Sequence, residues 1–417
     1  MAWPSDDRVA VQGPLLSVDE AVALVRESLP VVAGIETVGL AAADGRIAAE
    51  DIVSGLDLPR FDNSAVDGYA VRLADVAPEG NTVLPLRGRL AAGGAAAGIS
   101  AAGAAVRIFT GAPLPPDADT VVMQEGARVE DGRVTLPAGL TLGANRRRAG
   151  EDVRRGDVVV GAGRRLRPQD VAIAAAVGLS EIRVRRRLRV AVFSTGTELA
   201  EPGAALAPGA VHDSNRVMLQ SLLRRFGADV RDLGILRDDP DVVALRLAEA
   251  ARDCDAIVTS GGVSVGEEDH VRAAVGQIGR LVFWRLAIKP GKPVAMGLVG
   301  GVPFAGLPGN PVAAYVTLLF LVGPLLARIG GARYEPPLRI PVRAAFACRR
   351  KAGRREYVRA TLRERPDGSL EAVRFPRDGA GMLSSLTTSD GLVELDERLT
   401  EVAEGDTLPF LPHALMC

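Results

Sequence analysis

Cysteine is nearly absent from this sequence. Its 417 residues hold three, Cys254, Cys348 and Cys417, too few and too far apart for a disulfide scaffold or a cysteine-rich zinc site. Histidine is as scarce, and the scatter of His212, His270 and His413 argues against a histidine-built metal centre. A charge excess is lacking too. Fifty basic residues face 51 acidic ones, a net charge of -1, which excludes a bulk basic nucleic-acid binder. The strongest apolar run, Val312 to Ala327, has 16 residues and contains Pro324. A membrane-spanning helix wants about 20. The opening MAWPSDDRVAVQG has no basic-then-apolar signal pattern. Together these shortages predict a cytoplasmic chain with neither a membrane nor nucleic acid as partner. Lysine is the last shortage: three of the 50 basic residues are Lys and the other 47 are Arg. Two of those lysines share the segment Ile288-Lys289-Pro290-Gly291-Lys292-Pro293. Set against chance clustering, their retention hints at a need for a compact ammonium rather than a planar guanidinium.

What is present reads as globular. Hydrophobic residues make up 47% and charged ones 24%, a balance that excludes a disordered chain. The length suits two to four domains of about 150 residues each. Residues 15–29 read as an amphipathic helix, opened by a Ser17–Glu20 capping box and ended by Pro30. A long stretch, 51–160, holds short strands and turns and no convincing helix; a short helix then follows Pro168. From Arg189 the pattern changes. Strands at 190–193, 230–235 and 256–259 alternate with helices at 215–226, 240–252 and 269–278. That alternation predicts a doubly wound parallel α/β sheet. Strands at 281–286, 293–298 and 302–305 lead to a helix from Pro311 to Gly330-Gly331, capped by Asn310. Short strands after 331 predict a small β-barrel or sandwich. The expected fold is thus α/β and multidomain. Residues 1–50 with 150–188 form an N-terminal mixed domain, 51–149 a β-rich insertion, 189–330 the α/β domain and 331–417 a C-terminal β-barrel.

Ligands of open α/β sheets bind beyond the carboxyl ends of the strands. The segments following the expected strands are all Gly-, Ser- or charge-rich: Ser194 to Glu198, Arg237 to Asp239, Ser260 to Asp269, the Lys289/Lys292 loop, and Leu307 to Pro311. Each alone is an ordinary turn; five at one rim suggest a shared pocket. The chemistry suggested is oxyanion handling. Ser260, Gly261, Gly262 and Ser264 can present N–H groups and hydroxyls to a phosphate near a helix start. Lys289 and Lys292 add positive charge. Glu198, Asp238 and Asp269 would repel an anion unless a divalent cation such as Mg²⁺ lies between, with helix capping as the plain alternative. No Ser-His-Asp or Cys-His nucleophile is visible. A second polar group lies earlier, in Arg60 to Ala70 with Asp67, in Arg107 to Pro113 with Thr110, and in Asn145 to Asp152, where three arginines precede two acids.

In combination these segments resemble the molybdopterin molybdenumtransferase family, the bacterial MoeA proteins and the gephyrin E domain. The motifs are PRFDNSAVDGYAVR, RIFTGAPLPPDADTVVMQE, NRRRAGED, FSTGTEL, DSNR, LGILRDDP, SGGVSVGEEDH, LAIKPGKP and GLPGNPV, in family order over about residues 15–330. The tail matches more weakly. The resemblance implies an L-shaped, four-part protomer that dimerises, with the active site in a cleft between protomers. It implies insertion of molybdate into adenylylated molybdopterin with Mg²⁺ and release of AMP, a molybdopterin molybdotransferase activity. It places the family's catalytic positions on Asp67, Glu198, Asp238, Asp269, Lys289 and Lys292, with Asp67, Asp238 and Asp269 as metal ligands. Substrate contacts fall on Thr110, Asp152, Ser260, Gly261, Gly262, Ser264 and Pro308, and in the tail on Arg359, Ser384 and Ser385. It also allows transient contact with molybdopterin adenylyltransferase and apo-molybdoenzymes. One departure is Arg285, where the family often has Lys.

Three other readings bear on this. A molybdopterin adenylyltransferase would resemble 189–330 alone, and the PRFDNSAVDGYAVR and tail segments argue against it. A non-catalytic scaffold or carrier of molybdopterin could lose the acids, which are kept here. A tungstate-inserting homologue differs little in the oxyanion it must hold.

Overall fold

The computed structural model describes residues 15–261 and 270–416. Gly262, Ser264 and Asp269 of the expected site lie outside the described residues.

The first helix, Val18–Ser28, has the capping box its sequence encodes. The Glu20 N–H donates to Ser17 Oγ at 3.1 Å, and the Ser17 N–H donates to the Glu20 carboxylate at 2.8 Å. Its buried Val18, Ala21 and Val25 fall at helical spacing and pack into the core of the α/β body. Next, strand Glu181–Arg185 lies between Ile35–Gly39 and Ile47–Ala48, so residues from either side of the insertion build one small sheet. Its core holds Ala48, Leu166, Ala174, Ile182 and Val184. The insertion contains a six-stranded sheet and, between 51 and 149, only short 3-10 turns as helical structure. Apolar clusters cover both faces of that sheet.

The α/β body also has six strands. The order is Asp229–Leu236, Arg189–Thr195, Ala256–Ser260, Val302–Leu307, Pro293–Val299 and Gly279–Arg285. The first four are parallel, as expected; the last two run antiparallel to their neighbours. The reversal has a local cause. Gly300 and Gly301 form a two-residue hairpin loop with φ of +55° and +86°. Two residues with φ above zero match a turn that reconnects antiparallel strands without a crossover. The central strands carry Ala191, Val192, Phe193, Ile257 and Val258, all at most 1% exposed, as a sheet covered on both faces requires.

Helix Pro311–Gly330 crosses behind this sheet. It is 20 residues long and apolar enough by length and composition to span a membrane, but 89% of its apolar window is buried inside the protein. A π-helical turn, Leu318–Val322, interrupts it just before Pro324, which cannot donate a backbone hydrogen bond. Gly331, at φ +76°, closes it in the left-handed conformation.

The C-terminal strands Arg355–Glu364, Leu370–Arg374, Ile340–Ala344, Thr407–Pro412 and Gly391–Leu395 close on one another as a five-stranded barrel. Ile288–Lys289 pairs in parallel with Arg355 and Glu356, stitching the lysine loop to the barrel. Phe320 stacks on barrel residue Tyr357, with ring centroids 4.0 Å apart.

Candidate active site

The loops at the carboxyl ends of the parallel strands interlock. Strand Arg189–Thr195 ends on Thr195, which is 4% exposed and whose Oγ1 donates to Asp238 Oδ1 from the end of the neighbouring strand. Adjacent Asp239 is purely structural: it caps helix Pro240–Asp253 by accepting from the Asp241 and Val242 N–H groups. Glu198 lies in the turn beyond Thr195. Its carboxylate folds over Gly196, where a Cβ would sit 2.7 Å from Glu198 Oε2. Only glycine leaves room for that pose. Neither the Glu198 carboxylate nor Asp238 Oδ2 has a hydrogen-bond partner among the described residues.

Ser260, at the end of the third strand, is buried and fully used. It accepts from Asn215 Nδ2 at 2.8 Å and donates to the Pro308 carbonyl at 3.3 Å. Asn215 Nδ2 also donates to the Gly309 carbonyl at 2.7 Å. Gly261 follows with φ +90°, its N–H donating to Leu307 O at 3.1 Å. A Cβ there would lie 3.0 Å from the Thr195 carbonyl. The three loops after Thr195, Ser260 and Leu307 therefore touch.

Asn215 was not among the residues singled out by sequence. It opens helix Ser214–Arg225, and the signal was the DSNR motif itself. Beneath it Arg216, 4% exposed, bonds Asp213 at 2.9 Å and Asp232 at 2.5 Å and pairs with Glu201. Burial opposes the charge of Arg216, but those carboxylates outweigh it and raise its pKa.

The barrel completes the rim. Lys289 Nζ pairs with Glu356 at 3.2 Å, and Lys289 also helps hold the Asp378 carboxyl below its usual range, after Arg374. Lys292 is half-buried and has no ion pair among the described residues. Gly291 between them is tightly placed, since a Cβ would meet Thr317 Oγ1 at 2.6 Å. Arg359, 8% exposed, donates to Ser385 Oγ at 3.0 Å and to the Gly379 carbonyl at 3.0 Å. Burial lowers its pKa. These bonds fix the 376–385 loop, whose Ala380 carbonyl accepts from Val312 N–H at 3.0 Å at the start of the long helix. Asn310 occupies the cap position of that helix, but its side chain makes no capping bond. Exposed Ser384 begins the short helix Ser384–Thr387.

The insertion presents a separate cluster. Asp67 Oδ1 accepts from both the N–H and the hydroxyl of Thr110, each at 2.8 Å. The backbone bond, then the hydroxyl, hold its carboxyl below the usual range. Gly68 is needed by the sheet, since a Cβ would overlap the Val122 carbonyl oxygen at 1.9 Å. In the arginine-rich stretch, Arg146 pairs with Asp62, and Glu151 accepts from Arg148 N–H at 2.8 Å. Asp152 is exposed, with its own N–H bound to Leu58 O at 3.1 Å. Among the described residues, no hydrogen bond or ion pair joins 51–149 to 189–330. Nor do three His, Cys, Asp or Glu side chains converge among them as a metal site.

Three family models match this chain in succession: the MoeA N-terminal region (domain I and II) over 16–178, a probable molybdopterin binding domain over 191–328, and the MoeA C-terminal region (domain IV) over 341–413. The class is thus a multidomain protein built around a molybdopterin-binding-type α/β domain. The chain is 37% identical to a molybdopterin molybdenumtransferase of Haemophilus influenzae over 95% of this chain and 98% of that one. It is 36% identical to molybdopterin molybdenumtransferase 2 of Mycobacterium tuberculosis over 89% and 93%. A crystal structure of a molybdopterin biosynthesis MoeA protein from Pyrococcus horikoshii superposes with a TM-score of 0.82 at 29% identity, covering 96% of this chain and all of that one. This chain belongs to the molybdopterin molybdenumtransferase (MoeA) family, enzymes of molybdenum cofactor biosynthesis.

Proposed function

We propose that this chain inserts molybdate into adenylylated molybdopterin, releasing AMP and forming the molybdenum cofactor, as a cytoplasmic homodimer that uses Mg²⁺. The observation that carries this reading is the single rim made by the Thr195–Asp238, Asn215–Ser260–Pro308 and Lys289–Glu356 contacts, at the carboxyl ends of the strands.

The reaction brings a dianion to a pyrophosphate, so its barrier is largely electrostatic. Lys289 and Lys292 offset that repulsion, and donors already held in place by their loop do so with little reorganisation. The Ser260 hydroxyl and the Gly261 N–H donate to the Pro308 and Leu307 carbonyls, so they shape the loop rather than bind the anion. Gly262 and Ser264, which continue it, receive the phosphate-bearing part of the substrate, with Pro308 closing one wall. Arg359 and exposed Ser384 face the oxyanion from the barrel side. Ser385 is buried, with its hydroxyl donating to Met382 O and accepting from Arg359, and positions that guanidinium.

The residues present fit Mg²⁺. Glu198 and Asp238 offer hard oxygen donors, and Mg²⁺ favours one or two carboxylates completed by water and substrate phosphate. Asp238, with Asp67 and Asp269, would hold it; when bound it polarises the phosphoryl group that AMP leaves from. Asp67, Thr110 and Asp152 reach the rim from the partner protomer. Product passes by transient contact to apo-molybdoenzymes, and substrate arrives from the adenylyltransferase.

The test is incubation with adenylylated molybdopterin, molybdate and Mg²⁺. Stoichiometric, molybdate-dependent AMP release is expected. Binding without AMP release would leave a carrier; tungstate-selective release would make the chain a tungstate-inserting homologue.

A further inference from the structure

At the opposite end of the α/β sheet, where the parallel strands begin, lies a cavity of about 830 Å³. That volume is in the range of small-molecule sites. Its walls come from two bodies. Gly45, Arg165, Arg185 and Arg187 belong to the N-terminal mixed segment; Arg225, Phe226 and Arg333 belong to the α/β body and the chain leaving it. Nine arginines line it against one carboxylate, Glu335. Four of the nine are neutralised by Glu36, Asp170 or Asp255. The other five, Arg165, Arg185, Arg187, Arg225 and Arg333, have no ion pair among the described residues.

Composition alone makes arginine common here, but not unpaired arginine at one place. Like charges gathered around a cavity repel. Arg165 feels this: it is reachable by solvent yet densely walled, and burial and then Arg187 hold its pKa below the usual value. Part of its bonding capacity is used structurally. It donates to the Gly45 carbonyl and the Phe226 carbonyl, both at 2.9 Å, bridging the two bodies. Arg187 donates to Gly227 O at 3.3 Å. Each guanidinium has five N–H donors, so most remain unused. Arg185 Nε is buried with no partner at all. A second basic hollow, sharing Arg46, Arg186 and Arg187, continues from this one.

We propose that this cavity binds a small oligophosphate anion, which neutralises the unpaired guanidiniums and clamps the N-terminal segment to the α/β body. Guanidinium forks match phosphate oxygens two at a time, and several phosphates are needed to meet five charges. The site is independent of the molybdate-inserting rim and does not depend on that function.

The experiment is calorimetric titration of the full-length chain with tripolyphosphate, ATP and AMP at about 150 mM salt, where screening removes loose surface binding. One-to-one binding per protomer is expected for tripolyphosphate or ATP, and at least about tenfold weaker binding for AMP, which has a single phosphate. Tighter binding of ATP identifies an organic oligophosphate; equal binding identifies the phosphate chain alone. Arg225→Gln/Arg333→Gln removes two charges whose side chains make no hydrogen bonds among the described residues, so the fold is kept. It should weaken binding at least about tenfold. Lys292→Ala should leave binding unchanged. No binding at millimolar tripolyphosphate, binding that survives the double substitution, or binding lost in Lys292→Ala overturns the proposal.

Discussion

The α/β rim and the tip of the insertion carry the same kinds of residue in opposite settings. On the rim, Thr195, Ser260 and Asn215 are bonded across three loops, and their hydrogen bonds hold those loops to one another. At the tip, half-buried Asp67 and exposed Thr110 have side chains bonded only within the insertion. A polar group that fastens a fold cannot be changed without cost to stability. One whose side chain is bonded to a single partner within its own unit costs less to change, which leaves more room for function as the reason for its geometry.

The largest expected effect is at the tip. Asp67→Asn keeps the size and acceptor oxygen but removes the charge. AMP release should fall to background while the melting temperature stays within about 2 °C, because the side chain is bonded to Thr110 alone and ties no other element to it. A large melting shift with residual activity would move Asp67 into the fastening class.

Next comes the lysine loop. Lys292→Ala removes a charge that the proposed mechanism sets against a dianion. By analogy with loss of one oxyanion-hole donor, single-turnover AMP release should slow on the order of a hundredfold or more. Lys292→Arg should lose much of the activity as well, since a longer, planar guanidinium replaces the compact ammonium that the proposed role calls for. Arginine variants at both lysines running at wild-type rate would reduce the loop to charge without shape.

Asn215→Ala separates the two regions from the other side. It leaves buried Ser260 without its donor and the Gly309 carbonyl unpaired. Stability should fall by about 1–3 kcal/mol, with activity falling alongside it. Loss of activity alone would place Asn215 with the tip.

The smallest effect is pH-dependent and lies away from both. Asp255, 8% exposed, accepts from Arg186 at 2.6 and 2.7 Å and from the Arg189 N–H at 2.8 Å. Burial raises its pKa, but these partners prevail and hold it below the usual carboxylate value. The stability it contributes is therefore present above the unfolded-state value of about 3.9 and is lost as pH falls through the folded-state value. Asp255→Asn should flatten the acid limb of the stability curve. An unchanged limb would show the pair to be inert.

How much of this could be read from sequence follows the range of each interaction. The Ser17–Glu20 box and the helices at 215–226, 240–252 and 269–278 were legible because caps and periodicity are local; they appear as Val18–Ser28, Ser214–Arg225, Pro240–Asp253 and His270–Ile278. The direction of the last two sheet strands was not, although Gly300-Gly301 between apolar runs carried the hairpin signal. That the loops share one rim was legible from strand alternation. Their partners were not. The Thr195–Asp238 bond depends on strand order, and the Lys289–Glu356 pair joins residues 67 positions apart. Arg359 and Ser385 came only through family resemblance, since nothing local marks a buried arginine in a barrel strand as a candidate contact.

The central claim is that the tip of one protomer completes the rim of the other. Mixing inactive Asp67→Asn protein with inactive Lys292→Ala protein tests it, after exchange of subunits and with AMP release as the readout. A shared cleft gives mixed dimers one intact site, and about a quarter of wild-type activity should return. No recovery, with exchange verified by mass, would place Asp67 and Lys292 in the same protomer's site and contradict the account.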